Sequence, residues 1–210
     1  MASFSRVEFP LDGVPFPVGP DWDSIRHVLV EDGLPCPFRG SVFRPVISPF
    51  WVAVEGRPIL IFGRVHMFQA FGIDYRTRMV VEVLDAPSYP ISLVNTSVQL
   101  FVEVVSFLAE RYPFCVDASD GDACEAVANE LRRGLESIDA PCVNDNTFWG
   151  EFYWDVVQGD WAGDDSNLWQ VDWMSYQERP PSWWPYPRSF FKPTFDDIRL
   201  TNKRALDMLG

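Results

Sequence analysis

The stretch SLVNTSVQLFVEVVSFLAERYPF, residues 92–114, restricts the fold more than any other part of the chain. Leu93 and Val94 close a β-like run. Thr96 then stands where a helix N-cap is expected, with Gln99 three residues on in the capping-box arrangement. Val98, Phe101, Val102, Val105 and Leu108 form one apolar stripe at helical spacing, and Pro113 marks the exit. A strand feeding directly into such a helix requires a sheet for the stripe to cover. Asn95-Thr96-Ser97 also spells a glycosylation sequon, but capping accounts for the same residues.

The chain supplies that sheet just upstream. Between Phe43 and Leu93 lie FWVAV, PILIFGRV, YRTRMVVEVLD and YPISLV, short runs rich in Val, Ile and aromatics. EGRP, FGID and APSYP read as the turns between them. No helix-length segment intervenes, so antiparallel hairpins are expected rather than parallel crossovers. Ahead of the sheet, Trp22, Ile25, Val28 and Leu29 recur at helical spacing, with Asp21 or Asp23 as cap and Gly33 and Pro35 as the stop. This predicts a short helix over 22–32. The first 20 residues hold four prolines and are expected to run extended over the surface.

Two more helices are expected downstream. One spans Ala123 to Ile138, with Val127, Leu131, Leu135 and Ile138 on one face. The other lies in NTFWGEFYWDVVQGDW, where Phe148, Phe152 and Val156, flanked by Trp149 and Tyr153, make a broad aromatic face that Gly159 would end. The pattern is α+β: a single, mostly antiparallel sheet of four to six strands packed against helices. Residues 1–162 form one domain, and 163–210 form a Trp/Pro-rich extension. That extension carries Trp169, Trp173, Trp183 and Trp184 among prolines, then an expected helix over 195–209 capped by Thr194. It is expected to wrap over the domain or over a partner.

Charge narrows the function. The net of −13 is unevenly spread: residues 114–172 hold fourteen acidic and two basic side chains, whereas residues 1–113 hold twelve and nine. Such a field repels nucleic acid and speeds encounter with a basic partner. It is equally what a solvated, solubilising surface would carry. No run of about 20 apolar residues is present to cross a membrane. MASFSRVEFPLDG lacks the basic-then-apolar order of a secretory signal, so a cytoplasmic location is expected.

The catalytic inventory is thin. Cys36, Cys115, Cys124 and Cys142 make no CxxC pair, and His27 and His66 are the two histidines, so zinc spacing is missing and the thiols read as core residues. Nucleophile-elbow, phosphate-loop, dinucleotide and deaminase signatures are absent. Asp117, Asp120, Asp122 and Glu125 do not follow calcium-loop intervals and are better placed to cap the helix starting near Ala123. Asp160, Asp164 and Asp165 sit in turn-like sequence. No catalytic residue, metal or other cofactor is therefore expected, although an acidic pair or His66 in a cleft would make a small enzyme.

Taken together, EDGLP, ILIFGRV, MVVEVLD, ISLVNTSVQLFVEVVSFLAERY and NTFWGEFYWDVVQGDW resemble the SUKH superfamily, the Smi1/Knr4-like and Syd-like group, and within it the SUKH-4 type of bacterial immunity protein. Val94-Asn95-Thr96-Ser97 followed by Phe101 is similar to that family's strand-to-helix signature, and Trp149 and Gly159 stand at its late helix. The resemblance covers about residues 20–162, and the 163–210 extension departs from it. It implies an α+β fold without catalytic residues that binds and neutralises a cognate polymorphic toxin, commonly a nuclease or nucleic-acid deaminase. Joined to the charge pattern, it makes Asp155, Asp160, Trp161, Asp164, Asp165 and Trp169 the expected partner-binding residues, facing a basic toxin. The alternative is a regulatory or scaffolding module of the same fold with no toxin.

Overall fold

A computed structural model of the chain describes residues 6–7, 11, 14, 16–35, 44–66, 69–84 and 91–161. Its centre is a five-stranded antiparallel meander of β3 (Arg44–Val54), β4 (Arg57–His66), β5 (Gln69–Asp74), β6 (Val80–Leu84) and β7 (Ile91–Asn95), in that spatial order. A two-stranded ribbon of β1 (Arg6–Val7) and β2 (Leu34–Pro35) stands apart from it. The α+β reading holds, with five strands in the main sheet.

Turn chemistry sets the register. Glu55 and Gly56 both take positive φ, 50° and 71°, as a two-residue hairpin between β3 and β4 demands. The turn expected at FGID is not there; β4 already gives way to β5 between His66 and Gln69. FGID lies inside β5, and the next turn comes at Tyr75–Met79. Asp74 is the reason: its Oδ1 accepts from the amides of Arg76 and Thr77, and its Oδ2 accepts from Arg57 Nε at 2.8 Å. A carboxylate that gathers the next turn's amides reverses the chain there.

α1 (Pro20–His27) runs into a π-helical turn over Val28–Asp32 and stops at Gly33, φ 69°. Gly19 occupies its N-cap position, and no side chain caps it; Asp21 and Asp23 lie in the first turn instead. Trp22, Ile25, Val28 and Leu29 are buried as their spacing predicts. The opening segment does more than cover the surface, since Val14 is buried and Leu11 and Phe16 pack on the same core.

α2 (Val98–Ala109) begins one residue later than the capping-box reading implied. Ser97 is the cap, accepting from the Leu100 amide, while Gln99 donates to Ser24 across to α1. α3 (Gly121–Asp139) is capped by Asp120, as its acidic start suggested. Its inward face runs through Cys124, Ala128, Leu131 and Leu135, with Val127 and Ile138 at the margin. The expected face is thus rotated by about one position. α4 (Phe148–Val157) starts at the Thr147 cap and ends before Gly159, φ 82°.

All four helices lie over one sheet face. Trp51, Leu60, Phe62 and Phe71 from the sheet join Phe101, Leu131, Trp149 and Phe152 in one core. Phe71 meets Phe101 and Phe148 edge-on at 5.6 and 4.8 Å. Burying such rings contributes about 2–3 kcal/mol each and dominates the packing here.

Candidate functional site

Among the described residues, the strand-to-helix junction gathers a buried polar network. Asn95, fully buried, donates from Nδ2 to Asp139 Oδ2 at 2.9 Å and accepts from Trp149 Nε1 at 3.1 Å. Thr96 donates its amide and its hydroxyl to the two oxygens of Asp139, each at 2.8 Å. Thr96 is therefore occupied with α3, which is why the cap falls to Ser97. Four elements meet at this point: β7, the start of α2, the end of α3 and α4. Every donor in it has an acceptor, which is the condition for a buried polar group to stabilise a fold.

Three of the four thiols are described, Cys36 lying outside the described residues. Cys115, Cys124 and Cys142 are free and buried. Burial, with Cys124 alongside, pushes the Cys115 thiol up to about 12, and burial near Asp139 does the same to Cys142. Such thiols are protonated at neutral pH and poor nucleophiles. His27 is exposed on α1, 3.0 Å from Glu31. His66 ends β4, paired with Gln69. Among the described residues no group of three His, Cys, Asp or Glu side chains could hold a metal ion. None of their helices is long and apolar enough to cross a membrane.

What remains is the outer face of α4 and its exit. Trp154 stands 55% exposed, the aromatic that the inward stripe of Phe148, Trp149, Phe152 and Val156 leaves out. Tyr153 beside it donates to Asn129 Oδ1, and the Arg132 guanidinium lies 5.4 Å over its ring, fixing α4 against α3. Asp155 is next in line and exposed, yet its carboxyl is pushed up to about 6. Desolvation by the surrounding chain is the main cause, and the charges of Asp160 and Glu151 add to it. Glu151 in the first turn of α4, Asp155 in its last turn and Asp160 just past its end thus form one acidic run, with Asp155 feeling the charge of both others.

Of the residues that sequence and resemblance put forward, Asp155 and Asp160 come together here. Trp161 turns inward, half-buried against Phe152 and Phe114 at 5.2 and 6.1 Å. Asp164, Asp165 and Trp169 lie outside the described residues. Trp154 and Glu151 were not anticipated. The usable signal for Trp154 was its position, off the apolar face of an otherwise aromatic helix.

An antiparallel meander backed by helices on one side, and tied together by a buried Asn-Thr junction, defines an α+β domain. The SUKH-4 immunity protein family matches residues 23–155, from the first turns of α1 to Asp155, and the chain belongs to that family. No curated protein and no solved structure matches the chain. The family match ends before the Trp/Pro-rich extension begins.

Proposed function

We propose that this chain neutralises a cognate toxin by binding it, through the aromatic and acidic outer face of α4. Family membership supports the immunity role, and one observation supports the face: Trp154 is exposed beside Glu151, Asp155 and Asp160. An exposed tryptophan supplies the large apolar contact on which binding energy concentrates. The surrounding carboxylates favour a basic counterpart and disfavour others. A toxin that acts on nucleic acid, a nuclease or a nucleic-acid deaminase, has such a surface because it must hold phosphates. The chain itself then carries out no catalysis.

The test is co-expression with the toxin domain encoded beside this protein's own gene. Induction of the toxin alone should stop growth, and co-expression should restore it. Absence of a toxic neighbour, or failure of a well-expressed chain to protect, would overturn the proposal in favour of a scaffolding module.

A further inference from the structure

Glu82 is an acidic residue in an apolar place. In β6 it alternates with Val81 and Val83 of the second sheet face, so its carboxyl lies on the face that the helices cover. Register puts Phe71 of β5 on one side of it and Ser92 of β7 on the other. Phe71 meets Phe148, in the first turn of α4, edge-on at 4.8 Å. Glu151 stands three residues beyond Phe148, on the same side of the helix. That brings Glu151 close enough for Glu82 to feel its charge.

Glu82 is only 1% exposed, and its Oε1 has no hydrogen-bond partner, whereas Oε2 lies 2.7 Å from the Ser92 hydroxyl. A carboxylate so placed is costly. A neutral carboxyl costs less, and with the proton on Oε2 the same hydroxyl can accept instead of donate. Facing Glu82 among the described residues are thus Phe71, Ser92 and Glu151, of which Glu151 brings the charge. Asp155 follows Glu151 four residues on, so two acids share that side of α4. Burial comes first and Glu151 adds to it in both neighbours: the Glu82 carboxyl is pushed up to about 7, and that of Asp155, with Asp160 also contributing, to about 6. Glu151 is the exposed group common to the two. A cation brought to it would offset the charge that helps both neighbours keep their protons.

We propose that Glu151 seats one arginine or lysine side chain of the bound partner, and that docking there expels a proton from the carboxyls of Glu82 and Asp155 to the solvent. The seat rests on the toxin-binding role proposed above for α4, and it names the residue that receives the partner's charge. Because the complex holds fewer protons than its free components, it should tighten as pH rises through the window from about 6 to 7.

Isothermal titration calorimetry of the full chain with the toxin domain encoded beside its gene tests this. Titrations near pH 6.5 in phosphate and in imidazole, buffers of unlike ionisation heat, count the protons transferred. The parent should release about one proton per complex, and its affinity should rise about tenfold from pH 5.5 to 7.5. Glu151→Gln, at an exposed position, should release almost none and bind about tenfold more weakly at pH 7.5. Glu82→Gln keeps the shape and the Glu151 contact, so binding should persist while the proton count falls by about half. Ionisations of the toxin itself are common to all three titrations and cancel in the comparison. A parent complex that releases no proton, or a count unchanged in either variant, would overturn the inference and leave the immunity role standing. A toxin domain that does not bind the parent at all would overturn both.

Discussion

Asp139 and Glu82 are both buried carboxyls, and they differ in how fully their oxygens are hydrogen-bonded. Asp139 accepts three hydrogen bonds, from Asn95 and twice from Thr96. Asp139→Ala would leave the Asn95 amide and the Thr96 backbone N–H buried without partners, and should cost about 3 kcal/mol in urea denaturation. A loss under about 0.5 kcal/mol would show that the junction contributes nothing. Glu82 accepts from the Ser92 hydroxyl at 2.7 Å through Oε2, and its Oε1 has no hydrogen-bond partner among the described residues. Burial is the main cause, with Glu151 adding, that pushes its carboxyl up to about 7 from an ordinary value of 4.5, against the lowering effect of Ser92. The folded state therefore holds a proton that the unfolded chain releases between pH 4.5 and 7. Stability should be full below that window and fall as pH rises through it. Glu82→Gln, which keeps the shape without the charge, should flatten this fall and gain about 2 kcal/mol at pH 7.5 relative to the parent. Melting curves from pH 4.5 to 8 that keep the parent's slope would show that Glu82 does not carry it. Asn95 and Thr96 stood out in the sequence, but Asp139, 44 and 43 residues further on, did not. Pattern reading sees neighbours along the chain, and this acceptor comes from another helix.

Among the elements, type was more legible than phase. The apolar stripe of α2, the acidic cap of α3 and the aromatic face of α4 follow from local spacing, because each helix buries one side. The α3 face was misplaced by one position because Cys124 and Ala128 are small and mildly apolar, whereas Val127 and Ile138 look like stronger core residues. Depth was decided by how closely α3 approaches α2 and α4, which spacing does not encode. FGID was misjudged because its glycine and aspartate suggest a turn, while the Asp74 hydrogen bonds place the reversal just after it. Gly150 is a further case in which the neighbour explains the residue. A Cβ there would lie 2.0 Å from the carbonyl oxygen of Asn144, so the first turn of α4 can sit on the 142–145 loop only without a side chain. Gly150→Ala would raise helix propensity, yet it should destabilise the protein by about 2 kcal/mol because backbone must move. A higher melting temperature for the variant would mean that the loop yields freely and the close approach is incidental.

On the scale of the whole molecule, fourteen acidic side chains against two basic ones in residues 114–172 set the direction of the field, and α4 carries part of it beside Trp154. The charges and the tryptophan should have separable effects on a toxin complex. Charges act at a distance, so they govern the approach of a basic partner and are screened once the Debye length shrinks to a few ångströms. Contact at an exposed aromatic acts only after docking and governs escape. Replacing Glu151, Asp155 and Asp160 together with Gln, Asn and Asn should slow association about tenfold near 50 mM salt, with the difference closing towards 500 mM. Trp154→Ala should leave association nearly unchanged and speed dissociation at every salt concentration, by about tenfold or more. Stopped-flow association and dissociation rates for the parent and both variants would resolve the two effects. Identical salt dependence in the parent and the triple variant would remove the electrostatic argument. An unchanged off-rate in the tryptophan variant would move the docking surface away from α4 altogether.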